Sequence, residues 1–109
     1  MSKYFPEPEQ MGRHTIFPGV QARTAAGEKM MLSLVDMEAN AVVEEHSHPH
    51  EQVGMMLAGR ALFRIGDEER ILGPGDMYRI PGGVKHMVIA LDGPGQALDI
   101  FCPIREEYL

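Results

Sequence analysis

The sequence predicts an all-β domain of the sandwich or barrel type. Three observations carry that expectation. Apolar stretches are short and are broken by clusters of Gly, Pro, Asn and Asp. Several of them alternate with a period of two, as half-buried strands do. No stretch sustains a period of 3.6 long enough for a helix of useful length. At 109 residues the chain is one domain, and an apolar share of 44% is enough to fill a core.

Taken in order, Tyr4 to Pro18 is punctuated by Pro6, Pro8, Gly12 and Pro18 and reads as irregular. Met11, Ile16 and Phe17 allow part of it to add to a sheet edge or to a neighbouring subunit. Residues 1–18 are therefore expected to form an N-terminal arm, a strand or dimer contact, and residues 19–109 the barrel. Val20 to Thr24 reads as a short strand, and Met30 to Met37 as a core strand. Glu38 to Ala41 is a turn in which Asn40 tolerates the left-handed conformation. Val42 to His48 and Val53 to Leu57 follow as strands, the second ending at Gly59. In Arg60 to Ile65, alternation places Ala61, Phe63 and Ile65 on one face. Gly66 to Glu69 is a hairpin turn before a short Arg70 to Leu72. Met77 to Ile80 and Lys85 to Leu91 are strands separated by Pro81-Gly82-Gly83. Asp92-Gly93-Pro94-Gly95 reads as a turn, and Gln96 to Cys102 as the last strand. Pro103 stops it, leaving Ile104 to Leu109 as a tail or one helical turn.

A net charge of −6 argues against nucleic acid and anionic membranes as partners. The single cysteine, Cys102, excludes an intramolecular disulfide and is expected to be buried and inert. With neither a signal-peptide pattern nor an apolar run of spanning length, a cytoplasmic protein is expected.

The chemistry concentrates in Glu45-His46-Ser47-His48-Pro49-His50-Glu51-Gln52. His46 and His48 lie two apart, so on an extended strand they share a face and can bind one divalent ion together. Pro49 interrupts the strand, and Gln52 is expected to reach the same interior from the next one. A later stretch, Gly75 to His86, reads as turn, strand and turn, and brings His86 toward the same interior. His50 is expected at the rim or surface and His14 at the surface. Tyr78 should share a face with Ile80 and either line a pocket or pack in the core.

These residues resemble the cupins, whose fold is a double-stranded β-helix or jelly roll. The first cupin motif is Gly, five residues, His-x-His, three or four residues, Glu, six residues, Gly. It is matched here by Asn40, His46, His48, Gln52 and Gly59. The second is Gly, five residues, Pro-x-Gly, two residues, His, three residues, Asn, matched by Gly75, Pro81, Gly83, His86 and Ala90. The departures are Asn40 for Gly, Gln52 for Glu and Ala90 for Asn. The resemblance implies a cupin jelly-roll barrel that holds one divalent transition metal per chain (Fe, Ni, Zn, Mn or Cu) on His46, His48, Gln52 and His86.

A closer resemblance is to the single-domain, KdgF-type sugar-acid cupins, which help convert unsaturated uronates to linear keto-uronates. The shared features are the run His46 to Gln52, the neutral Gln and an ending represented here by Asp99, Phe101 and Arg105. That likeness implies a non-redox lyase or isomerase acting on a small anionic, uronate-like ligand. Asp99 would transfer a proton and Arg105 would bind a carboxylate. It also implies homodimers. Two other functions remain open at this stage: a dioxygenase using Fe(II) in the same site, and a non-catalytic ligand-binding protein.

The residues support these roles without deciding them. Alternation through Ala97-Leu98-Asp99-Ile100-Phe101 puts Asp99 beside Ala97 and Phe101. If that face is interior, Asp99 is a buried acid with a raised pKa; otherwise it is a solvated carboxylate or a partner for Arg105. Arg105 is either a bidentate clamp or a surface partner of Glu106 or Glu107. Gln52 in place of Glu leaves the full formal charge of a bound ion uncompensated, which favours an anionic oxygen ligand.

Overall fold

A computed structural model describes residues 2–109. Met1, the first residue of the expected arm, lies outside the described residues. Eight antiparallel strands account for most of the described residues: β1 (Gly12–Phe17), β2 (Val20–Ala26), β3 (Met31–Met37), β4 (Val42–His46), β5 (Glu51–Ile65), β6 (Glu68–Leu72), β7 (Met77–Ile80) and β8 (His86–Cys102). Helical structure among the described residues is confined to two single turns, Pro8–Gln10 and Glu106–Tyr108. The all-β fold is thus as the sequence predicts.

The two long strands organise the rest. The register of β5 against β8 shifts around Ala58, between Met56 and Arg60. Gly59 adopts φ +74, and a Cβ there would collide with the Pro94 carbonyl, so only glycine allows the two backbones to approach this closely. Each long strand therefore contributes one half to each of two packed layers. The first half of β5 pairs with β7 and with the second half of β8, which continues through β3 and β2 to β1. The second half of β5 pairs with β6 and with the first half of β8, which pairs with β4. This is a jelly roll.

From sequence, the halves of β5 and of β8 read as separate strands, with Asp92 to Gly95 as a turn. The structure joins them, because backbone pairing carries each chain through the bend. Asn40 has φ 63, the left-handed conformation expected for that turn.

The core lies between the layers. Val20, Ala22, Val35, Met37, Met56 and Phe63 are among its buried members, each from the inward parity of its strand. Ala61 and Phe63 are buried while Arg60 and Arg64 are exposed, as alternation predicts. One end of this interior is polar: Thr24, Ser33, His48, Gln52, His86 and Asp99 are all buried.

Candidate metal centre

The polar end is assembled from three strand ends and one loop. His46 closes β4 directly opposite His86 at the start of β8, with ring centroids 4.3 Å apart. His48 follows in the loop before β5. The Gly83 amide donates to the His48 carbonyl at 2.8 Å. A Cβ on Gly82 would collide with the Pro49 carbonyl, so the Pro81-Gly82-Gly83 turn can seat on the histidine loop. Gln52 enters on the inward face of β5, and its Oε1 lies 3.0 Å from His48 Nε2. One nitrogen from each of His46, His48 and His86 lies within 4.8 Å of the other two.

Each imidazole is oriented in the same way. His46 Nδ1 meets the Glu44 carbonyl at 2.8 Å, His48 Nδ1 the His50 carbonyl at 3.1 Å and His86 Nδ1 the Val84 carbonyl at 2.9 Å. A carbonyl can only accept, so each Nδ1 carries a hydrogen, and a neutral ring then keeps its lone pair on Nε2. Burial pushes the His48 pKa down to about 4, helped by the charges of Arg105 and His86. His86 is lowered as well, again chiefly by burial. Both rings are neutral at pH 7, the form that binds metal.

Neutral rings create a local conflict that a cation resolves. His48 Nε2 and Gln52 Oε1 are both lone-pair atoms, yet they face each other at 3.0 Å. An imidazole nitrogen from each of His46, His48 and His86 and the Gln52 carboxamide oxygen therefore converge. This neutral, borderline donor set fits a divalent transition ion and leaves coordination positions for water or ligand.

Behind Gln52 lies a second cluster. Asp99 on β8 and Tyr78 on β7 are both cross-strand neighbours of Gly54 on β5. The Tyr78 hydroxyl donates to Asp99 Oδ1 at 2.5 Å. Burial pushes the Asp99 carboxyl above the usual carboxylate range, while hydrogen bonds from Tyr78 and Gln52 and the charge of Arg105 pull it back. Tyr78 is held far above the ordinary phenol pKa, mainly by burial and then by the Asp99 charge, so it stays a donor.

The chain end completes the wall. The turn Glu106–Tyr108 folds back on β1 and β2: Thr24 Oγ1 donates to the Tyr108 carbonyl, and the Tyr108 ring stacks on His14 at 5.6 Å. This places the Arg105 guanidinium over the rings of Tyr108, at 4.1 Å, and Phe101, at 5.1 Å. Arg105 Nε donates to Glu107 at 3.0 Å, yet the Arg105 side chain is only 11% exposed. His46, Gln52, His86, Asp99 and Arg105 line one cavity.

A model of the cupin domain matches residues 33–101. This chain is a cupin. Its fold superposes on KdgF from Halomonas sp. with a TM-score of 0.86 and 27% identity, covering 99% of this chain and 100% of that one. An RmlC-like cupin from Shewanella frigidimarina shares the fold at a TM-score of 0.87 and 24% identity over 99% of this chain and 97% of that one. The dimethylsulfoniopropionate lyase DddQ of Ruegeria pomeroyi is 36% identical over 74 residues, 67% of this cupin and 37% of the lyase. Its crystal structure superposes with a TM-score of 0.68 at 34% identity, covering 74% of this chain and 42% of that one. The cupin spans little more than a third of that lyase's length.

The structure brings His46, His48, Gln52 and His86 together and sets Asp99 and Arg105 on the same cavity. Arg105 pairs with Glu107, as one of its two readings expects, and it also lines the cavity wall. Three expectations need correction or addition. Cys102 is exposed rather than buried, because Phe101 takes the inward position next to it. His14 is half-buried under Tyr108 rather than at the surface. Gly54 and Ser33 do not stand out in the sequence. A glycine inside a strand signals a close approach, and Ser33 lies on the inward parity of β3, but only cross-strand register sets both beside Asp99. Among the described residues, no helix is long and apolar enough to cross a membrane.

Proposed function

We propose that this cupin is a metal-dependent, non-redox lyase or isomerase acting on a small carboxylate, with an unsaturated uronate-like acid as the first candidate. The observation that carries the reading is the placement of a buried carboxyl, Asp99, and a guanidinium, Arg105, on the one cavity that the histidine cluster lines. His46, His48, Gln52 and His86 would hold a divalent ion, which would supply Lewis-acid charge at a substrate oxygen.

The chain's own residues supply the rest. Arg105 has its Nε committed to Glu107, so a carboxylate would be taken by its terminal nitrogens. Stacking on Phe101 and Tyr108 fixes the plane of that fork. Asp99 has one oxygen engaged by Tyr78, and its other oxygen accepts a proton from the substrate and returns it elsewhere on the same molecule. Its raised pKa brings it closer to the range where a carboxyl both takes and gives protons. The likeness to KdgF and to DddQ, a lyase by its name, supports the lyase reading.

The test is to supply the metal-loaded protein with unsaturated uronates and dimethylsulfoniopropionate, following consumption by NMR alongside an oxygen electrode. Consumption without oxygen uptake is expected, and Asp99→Asn should abolish it. Oxygen uptake would establish the dioxygenase alternative. A raised melting temperature with no consumption would establish a binding protein. The same proposal takes the protein to be a cytoplasmic homodimer using the arm at residues 1–18, where Tyr4 and Phe5 are each 77% exposed. Removing residues 1–10, which precede β1 and carry Tyr4 and Phe5, should shift the sedimentation mass to a monomer.

A further inference from the structure

The carboxamide of Gln52 has two nearly isosteric ends, and only the oxygen can bind a metal. Nothing in Gln52 itself decides which end faces the histidines. His48 favours the wrong one: with Nδ1–H given to the His50 carbonyl, its Nε2 lone pair is best satisfied by the Gln52 NH2. That flip would place two N–H groups, with no lone pair between them, where the ion has to sit. Yet Oε1 is the end that faces Nε2.

The counterweight lies on the other side of Gln52. The inward neighbours of β5 and β8 run Gln52–Phe101 and then Gly54–Asp99, so Asp99 sits diagonally behind Gln52 on the same face. Tyr78 donates its only hydrogen to Asp99 Oδ1, so the carboxyl keeps lone pairs for further donors. The Gln52 amide, whose Oε1 faces His48, lies at the diagonal position from which its NH2 can be one of them. Gly54 makes the assembly possible, because a Cβ there would meet Asp99 Oδ1 and the Tyr78 hydroxyl at 2.5 Å each.

We propose that Asp99 is the positioning residue for Gln52: its carboxylate takes the amide NH2 and so keeps Oε1 aimed into the histidine cluster. Asp99 thus has a role in assembling the donor set that is separate from proton transfer. Gln52 and Asp99 then form one unit, an amide in front and a carboxylate behind. The exchange Gln52→Glu/Asp99→Asn reverses that unit and satisfies the same contacts. The carboxamide, now behind, would accept from Tyr78 through its oxygen and donate its NH2 to the carboxylate in front. That carboxylate has two equivalent oxygens and cannot be misoriented. The pair's charge of −1 is unchanged.

The inference rests on the metal reading, and the experiment separates the two. Co(II) is titrated into metal-free protein against a competing chelator, and its d–d absorption spectrum is recorded. Asp99→Asn should weaken Co(II) binding by about ten-fold or more, as loss of a group behind a ligand does, with a changed d–d spectrum. The double variant Gln52→Glu/Asp99→Asn should bind Co(II) at least as tightly as the wild type. A merely structural role for Asp99 would not be rescued by a change at position 52. Asp99→Asn binding Co(II) as the wild type does, with the same spectrum, would overturn the proposal. So would a double variant, folded by circular dichroism, that binds no better than Asp99→Asn alone. If Asp99→Asn does not fold, the double variant decides by itself, through wild-type affinity or its loss. Failure of the wild type to bind Co(II) would instead overturn the metal reading beneath it.

Discussion

Tyr78 and Asp99 meet over the bare backbone of Gly54, which is the cross-strand neighbour of both. Their 2.5 Å hydrogen bond occupies the space that any other side chain at position 54 would need. Gly54→Ala therefore has to move the tyrosine, the carboxylate or the strand. It is expected to destabilise the protein by about 1–3 kcal/mol, the usual cost of overpacking a filled interior. Urea unfolding measures this, and an unchanged midpoint would show that the row has slack.

Charge at position 52 gives a second outcome. Glutamine leaves the ion's charge uncompensated, whereas glutamate would cancel one unit of it close to the bound ligand. Two unit charges about 4 Å apart interact by about 4 kcal/mol at an effective dielectric of 20. Gln52→Glu in the metal-loaded protein is therefore expected to weaken binding of a monocarboxylate such as glycolate by about ten-fold or more, a fraction of that interaction. Calorimetry with glycolate checks it. Equal or tighter binding would mean that the carboxylate does not sense the charge of the ion.

His48 provides a pH signature in metal-stripped protein. Its folded pKa is about 4 against an unfolded 6.5, so the unfolded chain binds the proton more readily between those values. The contribution is intact above pH 6.5 and is lost as pH falls toward 4. The stability of the wild type relative to His48→Gln, which removes the titrating group, should decline over that window. Denaturant melts at several pH values measure the difference, and a flat difference would show that burial does not hold the ring neutral.

Much of this architecture is visible in local chemistry. His-x-His on a strand, Pro-x-Gly in a turn and alternation through Ala97 to Phe101 each follow from neighbours a few residues away, and each survives in the structure. What sequence hides is non-local. The bend shared by Gly59 and Pro94 looks like two turns in sequence, because only pairing between β5 and β8 shows the strands to be continuous. The meaning of Gly54 depends on which residues lie across from it on two other strands. The seat of the final turn on His14 and Thr24 joins residues 84 or more positions apart. Cys102 is the exception, since the alternation that put Phe101 inside already pointed it outward.

That exposure has a direct consequence. Cys102 ends β8 on the outer surface, next to Pro103. A thiol so placed is expected to react stoichiometrically with Ellman's reagent in the native state, one per chain, without denaturant. Labelling only after unfolding would place it in an interface between subunits.

Arg105 allows the sharpest separation of charge from geometry. Lysine keeps the charge but loses the planar fork and the stacking on Phe101 and Tyr108. If the guanidinium holds a substrate carboxylate by two parallel bonds, Arg105→Lys loses the shape of that grip while preserving long-range attraction. A hydrogen bond to a charged group contributes about 1.5–3 kcal/mol, so KM is expected to rise by about ten-fold or more while kcat changes less. Arg105→Met removes charge as well as shape and should raise KM further. It also frees Glu107, whose carboxyl is held below the usual glutamate range chiefly by its hydrogen bond to Arg105. That carboxyl should then titrate in the ordinary range, visible by NMR in the side-chain carbon. Steady-state kinetics on the substrate identified above checks the ordering. If Lys and Met variants match the wild type in KM while Glu107 titrates as expected, Arg105 serves only to tie down the chain end.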